Sequence, residues 1–218
     1  MNTELLDEIL ACQSLPSLPA IAVQVLELTS DQNVSMDELA ELIQTDQAMA
    51  AKILRTVNSS FYALRERCTT IRKALVMLGL SPVKSLVLGF SLVNSIDMDE
   101  DTGFDYSAYW RRGLYTAAAA KSVADIAGQK ETADECFLSG LLQDIGMIAL
   151  LQTLGDRYID IVRSTDGDHS KLVVAELDEL EAQHPDIGAT LAERWRLPEE
   201  LSVPIKYHER PGAAPEEH

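Results

Sequence analysis

Hydrophobic residues recur along most of the chain three or four positions apart, which is the spacing of one helix face. The clearest case follows Ser35, where Glu38, three residues later, completes a capping-box pattern typical of a helix start. The hydrophobic residues behind this cap are Met36, Leu39, Ala40 and Ile43. No stretch alternates hydrophobic and polar residues over the length of a strand. The pattern therefore predicts an all-α fold.

Glycines, prolines and polar caps indicate where the predicted helices begin and end. Gly79 ends one helix, and Pro82 suits the first turn of the next, which is apolar enough to be deeply buried. A long helix is predicted over about residues 105–127, ended by Gly128, and its small residues allow a neighbouring helix to approach closely. A second capping-box pattern begins at Thr132. Further helices are predicted near residues 156–164, 170–182, 185–195 and 198–208.

An acidic stretch that ends in glycine, residues 97–103, interrupts the helical pattern and fits a connecting loop. We therefore predict an N-terminal helical part over residues 1–98 and a C-terminal helical bundle over residues 104–210. The tail beyond these parts has few core-forming side chains and is expected to be loose.

Charge and composition narrow the functional classes. The 218 residues carry a formal net charge of −17, and 46% of them are hydrophobic. Such a surface does not suit nucleic acid or an anionic membrane, because phosphate groups require clustered cations. The N-terminus lacks a leader pattern, and no uninterrupted apolar run reaches about 18 residues. The three cysteines, Cys12, Cys68 and Cys136, are far apart, so we expect a cytoplasmic protein with reduced thiols, Cys136 being buried.

Two groups of short motifs, taken in order, resemble a known family. The first group comprises Leu15-Pro16-Ser17-Leu18-Pro19 and residues 54–62 and 71–79. The second comprises Trp110-Arg111-Arg112, residues 140–146, Glu176, residues 184–189 and 195–198, and Tyr207-His208-Glu209. Their order and spacing, over about residues 15–209, are similar to those of the HDOD domain, a bacterial relative of the HD phosphohydrolases.

This resemblance implies an N-terminal HDOD-specific helical layer packed on a C-terminal HD-like bundle. It also implies a regulatory or signal-transduction module that acts through protein–protein contacts and has no established catalysis. We therefore expect signalling proteins as partners, no catalytic residue and no cofactor, and the oligomeric state stays open.

The resemblance also locates the remains of a metal site. HD enzymes bind one or two divalent metals through His and Asp side chains from different helices. The corresponding positions here are Arg112, Gln143, Asp144, His184 and His208, so Arg112 and Gln143 replace two of the family's histidines. A neutral amide is a weak metal ligand, and an inward guanidinium places a cation where a dication would lie. We therefore expect Asp144, in the middle of a helix, to form a buried or half-buried ion pair with Arg112 at a degenerate site.

The alternative function is a metal-dependent phosphohydrolase, acting on a nucleotide or a cyclic dinucleotide. One metal would then be held by Asp144, His184 and His208 with open positions. Against this interpretation, His184 can be an ordinary helix-start residue and His208 a surface histidine near its helix end. His169 and His218 lie outside every motif. A third class is a small-ligand sensor with a pocket between the two helical parts.

Two other polar features have structural interpretations. The run Asn58-Ser59-Ser60 is interpreted as a helix end, where short polar side chains bond to freed backbone groups, in preference to a nucleophilic site. Glu176 can join the ion-pair cluster, but an exposed position on its helix is equally consistent with the sequence. No glycine-rich phosphate loop and no serine elbow occurs in the sequence.

Overall fold

The computed structural model of the protein describes residues 3–12, 15, 17–29, 34–60, 62, 64–96, 102–130 and 132–215. These residues form helices joined by short connections, and no strand occurs among them, which confirms the predicted all-α fold. The chain divides into two compact units. The N-terminal unit is formed by Ser17–Ser95, and the C-terminal unit is formed by Ile96–His218 together with Met1–Pro16.

In chain order, the helices are α1 (Thr3–Ala11), α2 (Ala20–Thr29), α3 (Met36–Gln44), α4 (Gln47–Val57), α5 (Ile71–Leu78), α6 (Leu80–Ser95), α7 (Tyr106–Ile126), α8 (Ala133–Leu142), α9 (Ile145–Leu154), α10 (Asp156–Ser164), α11 (His169–Leu180), α12 (His184–Arg194) and α13 (Glu199–Tyr207), followed by a short 3-10 helix at Pro211–Ala213.

The N-terminal unit contains α2 to α6 around one hydrophobic core. The predicted capping box begins α3, because the Glu38 N–H donates to Ser35 Oγ at 3.0 Å and the Ser35 N–H donates to the Glu38 carboxylate at 3.2 Å. Gly79 ends α5 with a φ of 91°, a left-handed value that favours glycine. Pro82 lies in the first turn of α6, in which eight of the 16 residues are buried and only Asn94 is exposed.

Asn58 connects the end of α4 to the segment before α5. Its Nδ2 donates to the carbonyl oxygens of Leu54 and Cys68, at 2.6 and 2.7 Å, and its Oδ1 accepts from the Cys68 N–H at 2.8 Å. Ser59 Oγ donates to the Thr56 carbonyl at 2.6 Å. The interpretation of this motif as a helix end is therefore confirmed.

The structure places α1 in the C-terminal unit, whereas residues 1–98 were expected to belong together. Leu5 and Ile9 are buried, α1 packs on α9, and Arg194 donates to the Leu10 carbonyl at 2.8 Å. The periodicity of α1 shows that it has an apolar face, but the pattern does not specify which helix covers that face.

The segment Ala133–Leu154, expected to be one helix through Asp144, forms two helices. Gln143 and Asp144 make the turn between α8 and α9. Thr132 does not cap α8, because its hydroxyl donates to the Gln129 carbonyl at 3.2 Å. Both helices are largely buried, so the hydrophobic pattern continues through the turn and conceals it.

By length and composition alone, Ala133–Leu154 could cross a membrane, although the sequence contains no uninterrupted apolar run of that length. However, 67% of its most apolar window is buried inside the protein. That degree of burial is typical of a core helix, and we interpret this segment as the core of the C-terminal unit.

Small residues set the distance between α7 and α8. A Cβ added at Gly140 would lie 2.9 Å from Ala117 Cα, and one added at Gly113 would lie 3.2 Å from the Leu141 carbonyl oxygen. The close approach expected from the small residues of α7 is therefore present. It brings Arg112, on α7, within reach of the turn that carries Asp144.

Candidate metal centre

Four side chains from separate elements meet inside the C-terminal unit. Asp144 lies in the turn between α8 and α9, His169 and His184 are the first residues of α11 and α12, and His208 directly follows α13. The exposed fraction of the side chain is 0% for His184, 3% for Asp144, 11% for His208 and 21% for His169. The cluster is therefore shielded from water.

The donor atoms of the cluster have spacings that suit one metal ion. Asp144 Oδ1 lies 3.4 Å from the Nε2 atoms of His169, His184 and His208, and the Nε2 atoms of His184 and His208 are 3.3 Å apart. Zinc bonds of about 2.0–2.1 Å place neighbouring ligands of a tetrahedral site about 3.4 Å apart. Asp144 Oδ1 is buried and has no hydrogen-bond partner among the described residues. These observations fit a single divalent ion.

The second oxygen of Asp144 has a different environment. Arg112 Nε donates to Oδ2 at 3.0 Å, and Gln143 Nε2 donates to the same oxygen at 3.3 Å. The ion pair expected between Arg112 and Asp144 is therefore present, and the Arg112 side chain is 33% exposed. Both positions at which the resemblance replaces histidine thus contact Oδ2, while every histidine of the cluster faces Oδ1.

A buried carboxylate fixes the orientation of His184. Glu176, which is 0% exposed, accepts from His184 Nδ1 at 2.8 Å and from the His184 backbone N–H at 2.8 Å. Its other oxygen accepts from the Tyr158 hydroxyl at 2.6 Å. Histidines that bind metals commonly donate their second ring nitrogen to a carboxylate in this way. The sequence is equally consistent with an exposed Glu176 and with a Glu176 in the cluster, and the structure places it in the cluster.

The tautomers of His184 and His208 require a proton or a metal ion between the two rings. His208 Nδ1 donates to the Ile205 carbonyl at 2.8 Å, as His184 Nδ1 donates to Glu176. With both Nδ1 atoms protonated, two neutral rings would present facing lone pairs at Nε2, only 3.3 Å apart. One Nε2 must therefore carry a proton, or a cation must lie between the rings.

Glu209 extends the cluster toward solvent. Its Oε1 lies 3.2 Å from His169 Nε2 and 3.7 Å from His208 Nε2, and its side chain is 25% exposed. A carboxylate this close to the histidine nitrogens would attract a dication bound between them, and so offset part of the repulsion between that dication and Arg112. Glu209 follows His208 in the sequence, but its contact with His169 depends on how α11 and α13 pack.

Electrostatics stabilise opposite charges on Asp144 and His184. Burial would raise the pKa of Asp144, but contacts with three imidazoles and the charge of Arg112 outweigh it and hold this pKa well below its usual value. Burial would lower the pKa of His184, but Asp144 and Glu176 outweigh it and raise this pKa to about 9. Without a metal, His184 therefore carries the proton at neutral pH, and a metal ion must displace that proton to bind.

The metal-free protein is expected to lose stability in mild alkali. The folded-state pKa of His184, about 9, lies above its ordinary value of 6.5, so its stabilising contribution is complete below pH 6.5 and is lost as the pH rises through 9. Urea unfolding of chelator-treated protein should show a decrease of about 2–3 kcal/mol in the free energy of unfolding across this window. A His184→Gln variant should be less stable and should show a smaller decrease. A flat profile in the wild-type protein would contradict the assignment.

A cavity of about 430 Å³ lies beside the cluster, between α7, α8 and α13. Gln143 and His208 line it at the cluster end. Its lining also includes Glu135 and Glu200, and no lysine or arginine among the described residues. Cys136 lines the cavity as well and is half-buried, not fully buried as expected.

The site contains more than the sequence indicated. His169 lies outside every sequence motif, yet it joins the shielded cluster. His208, a site position implied by the resemblance for which a surface position was the alternative, also lies in the cluster. The sequence signal that could have found His169 is its position directly after Asp168, the residue that caps the start of α11. His218 lies outside the described residues.

The comparison with protein families agrees with this architecture. The HDOD domain matches residues 15–211. The chain therefore belongs to the HDOD domain family, as the motifs indicated.

Solved structures share the fold over nearly the whole chain. An HDOD domain protein of unknown function from Geobacter sulfurreducens is 26% identical, with a TM-score of 0.78, covering 98% of this chain and 73% of that one. A protein of Shewanella amazonensis SB2B, provisionally named a phosphohydrolase, is 24% identical, with a TM-score of 0.77, covering 95% of this chain and 73% of that one.

One curated relative is an uncharacterised protein of Treponema pallidum (strain Nichols), 24% identical over 204 residues. The alignment covers 94% of this chain and 39% of the relative, so this chain spans less than half the length of that protein.

Proposed function

We propose that this chain is a regulatory module without catalytic activity, which acts through contacts with signalling proteins. In this proposal, its HD-type centre binds one divalent transition metal through Asp144, His169, His184 and His208. The metal would connect α11, α12, the end of α13 and the turn between α8 and α9, and so stabilise the arrangement of the bundle.

The observation that carries this proposal is the division of the two Asp144 oxygens. A bridging carboxylate in a two-metal site offers one oxygen to each ion. Here Oδ2 is bonded to Arg112 and Gln143, at 3.0 and 3.3 Å, which blocks the side where a second ion would bind. The Oδ1 side keeps a full set of nitrogen and oxygen donors for one ion.

The donor set favours a structural over a catalytic metal. Catalytic zinc sites typically have three protein ligands and leave one position for water, whereas structural sites are closed by four. This centre offers four protein donors. In addition, the adjacent cavity presents Glu135 and Glu200, which would repel a phosphate ester.

Metal content and turnover together test the proposal. Protein purified without chelator is expected to contain one divalent transition metal per chain by elemental analysis, and none in the His184→Ala variant. It should hydrolyse neither a model phosphodiester nor nucleotides nor a cyclic dinucleotide. Turnover that disappears in Asp144→Asn would instead establish the second candidate, a phosphohydrolase. Absence of bound metal after reconstitution with Zn²⁺ or Co²⁺ would refute the metal centre.

Restoring the two replaced histidines should recreate the second metal position. The double variant Arg112→His and Gln143→His removes the guanidinium from Oδ2 and supplies two imidazoles to that oxygen's side. We expect the metal content to rise from one ion to two per chain. Arg111→His is the matched control, because Arg111 is exposed and does not contact Asp144, and it should leave the content at one. An unchanged content in the double variant would contradict the assignment of the Oδ2 side.

A further inference from the structure

Positive charge is concentrated in one part of this acidic chain. Residues 52–73 contain six of the 18 lysines and arginines and only one carboxylate, Glu66. The six cations are Lys52, Arg55, Arg65, Arg67, Arg72 and Lys73. They belong to α4, the start of α5 and the segment between them, all inside the N-terminal unit.

Half of these cations already have partners within the unit. Arg72 donates to Asp37 at 3.2 Å, Lys73 to Glu66 at 3.3 Å and Lys52 to Asn94 Oδ1 at 2.7 Å.

The other three cations are Arg55, Arg65 and Arg67. They are exposed, and no carboxylate of the described residues lies within 4.0 Å of their guanidinium groups. In a chain with 35 acidic residues, exposed arginines without a carboxylate partner can attract an external anion.

Arg55 and Arg67 line one groove of about 630 Å³, and Arg65 does not. The groove lies between α4 and the segment 67–69 and has the apolar side chains of Ala51 and Leu54 along α4. Asn58 holds its two walls together by bonding to both backbone groups of Cys68, at 2.7 and 2.8 Å. The spacing of the two arginine-bearing walls is thus fixed before any ligand binds, which reduces the entropy lost on binding.

We propose that this groove binds a short acidic segment of a partner protein. Carboxylates of the segment would pair with the forked guanidinium groups of Arg55 and Arg67, and an apolar side chain between them would contact Ala51 and Leu54. This proposal rests on the proposed function, because it names the surface through which a regulatory module would contact a signalling protein. It does not depend on the metal centre.

The charge of the chain disfavours long polyanions and anionic membranes as ligands of this groove. A long polyanion or an anionic membrane would meet the field of a chain with net charge −17, whereas a short segment places its charges within about one Debye length, 8–10 Å, of the arginines. One common class of phosphate site uses free backbone N–H groups. The Cys68 N–H in this groove is already bonded to Asn58, so the available donors are side chains.

Fluorescence anisotropy with a labelled peptide tests the proposal on the full chain. The probe is fluorescein-Gly-Glu-Leu-Glu-Leu-Glu-Gly, and the matched peptide has glutamine at each glutamate. The acidic peptide should bind, the glutamine peptide should not, and added salt should weaken binding. Arg55→Gln and Arg67→Gln should each weaken binding at least about fivefold, because each removes a charge-assisted contact. Arg65→Gln, with the same charge change outside the groove, should change it less than about twofold.

Each other result overturns the proposal. No binding of the acidic peptide, equal binding of the glutamine peptide, or equal losses in Arg65→Gln and Arg67→Gln would exclude a specific peptide groove. Displacement of the peptide by inorganic pyrophosphate at lower concentrations than by unlabelled peptide would identify a phosphate site instead. The proposals for the groove and for the metal centre can be refuted independently. Arg67→Gln should keep the metal content of the wild type, and Asp144→Asn should keep the affinity of the wild type for the peptide.

Discussion

Replacing Asp144 by alanine is expected to destabilise the metal-free protein by about 3 kcal/mol, because Arg112 loses its charged partner inside the C-terminal unit. The Asp144 side chain is 3% exposed and its carboxylate lies 3.0 Å from Arg112 Nε. Without this carboxylate, the partly buried positive charge of Arg112 would have no counter-charge. Urea unfolding of chelator-treated protein near pH 6.5 measures this effect directly.

The same variant should change the pH dependence of stability. Asp144 makes the largest single contribution to raising the pKa of His184 against the effect of burial, so removing its carboxylate should lower that pKa. The loss of stability between pH 6.5 and 9 should therefore become smaller in Asp144→Ala. A general packing defect would lower the free energy of unfolding equally at both pH values.

A matched aspartate provides the control for Asp144→Ala. Asp160 pairs with Arg163 at 3.8 Å on the surface, where the two side chains are 78% and 64% exposed. Water screens such a pair, so Asp160→Ala should change the free energy of unfolding by less than about 0.5 kcal/mol. Equal effects of the two substitutions would show that Arg112 and Asp144 do not form a shielded pair.

Replacing Gly146 by alanine should destabilise the protein by more than about 3 kcal/mol, beyond the usual cost of overpacking, because the added methyl group would overlap backbone atoms. A Cβ at Gly146 would overlap the His184 carbonyl oxygen and lie 2.7 Å from the Gly188 nitrogen. Backbone atoms cannot rotate away as a side chain can, so α9 and α12 would have to separate. Alanine gains about 1 kcal/mol over glycine inside a helix, which offsets only part of this cost.

The separation of α9 from α12 would also move His184. If the proposed metal binds at the cluster, Gly146→Ala should weaken its binding as well as the stability of the fold, which elemental analysis and thermal unfolding would measure. Gly212→Ala is the control, because a Cβ at Gly212 has no atom within 4 Å and its φ is not left-handed, and it should melt with the wild type. A Gly146→Ala variant that melts within a few degrees of wild type and keeps its metal would contradict this packing.

Much of the architecture follows from local interactions that can be predicted from residues close together in the sequence. The Ser35 cap, the Gly79 stop and the early proline of α6 each act through neighbouring backbone groups, so their consequences can be inferred without knowing the tertiary structure. The contact between Arg112 and Asp144 could be inferred for a different reason, since the family motifs place both positions in one site.

Two predictions from the sequence were wrong, the continuous helix through Asp144 and the placement of α1, and both depended on contacts that are not local. The turn at Gln143 and Asp144 interrupts two buried helices of similar hydrophobicity, so periodicity gave no signal for it. The assignment of α1 to the C-terminal unit depends on which distant helix covers Leu5 and Ile9. In each case the deciding contact joins residues that are far apart in the chain or equally buried on both sides.

By itself, the amino-acid sequence determined that the chain is helical and that its motifs are those of HDOD domains. The family resemblance then predicted that Arg112 and Gln143 stand where HD enzymes have metal-binding histidines. These inferences depend on residue identity and on the spacing of residues along the chain. Only the tertiary structure decided that His169 joins Asp144, His184 and His208, and that the two oxygens of Asp144 have separate partners. The physical reason is that these distances are set by the packing of α7, α11, α12 and α13, which no local pattern encodes.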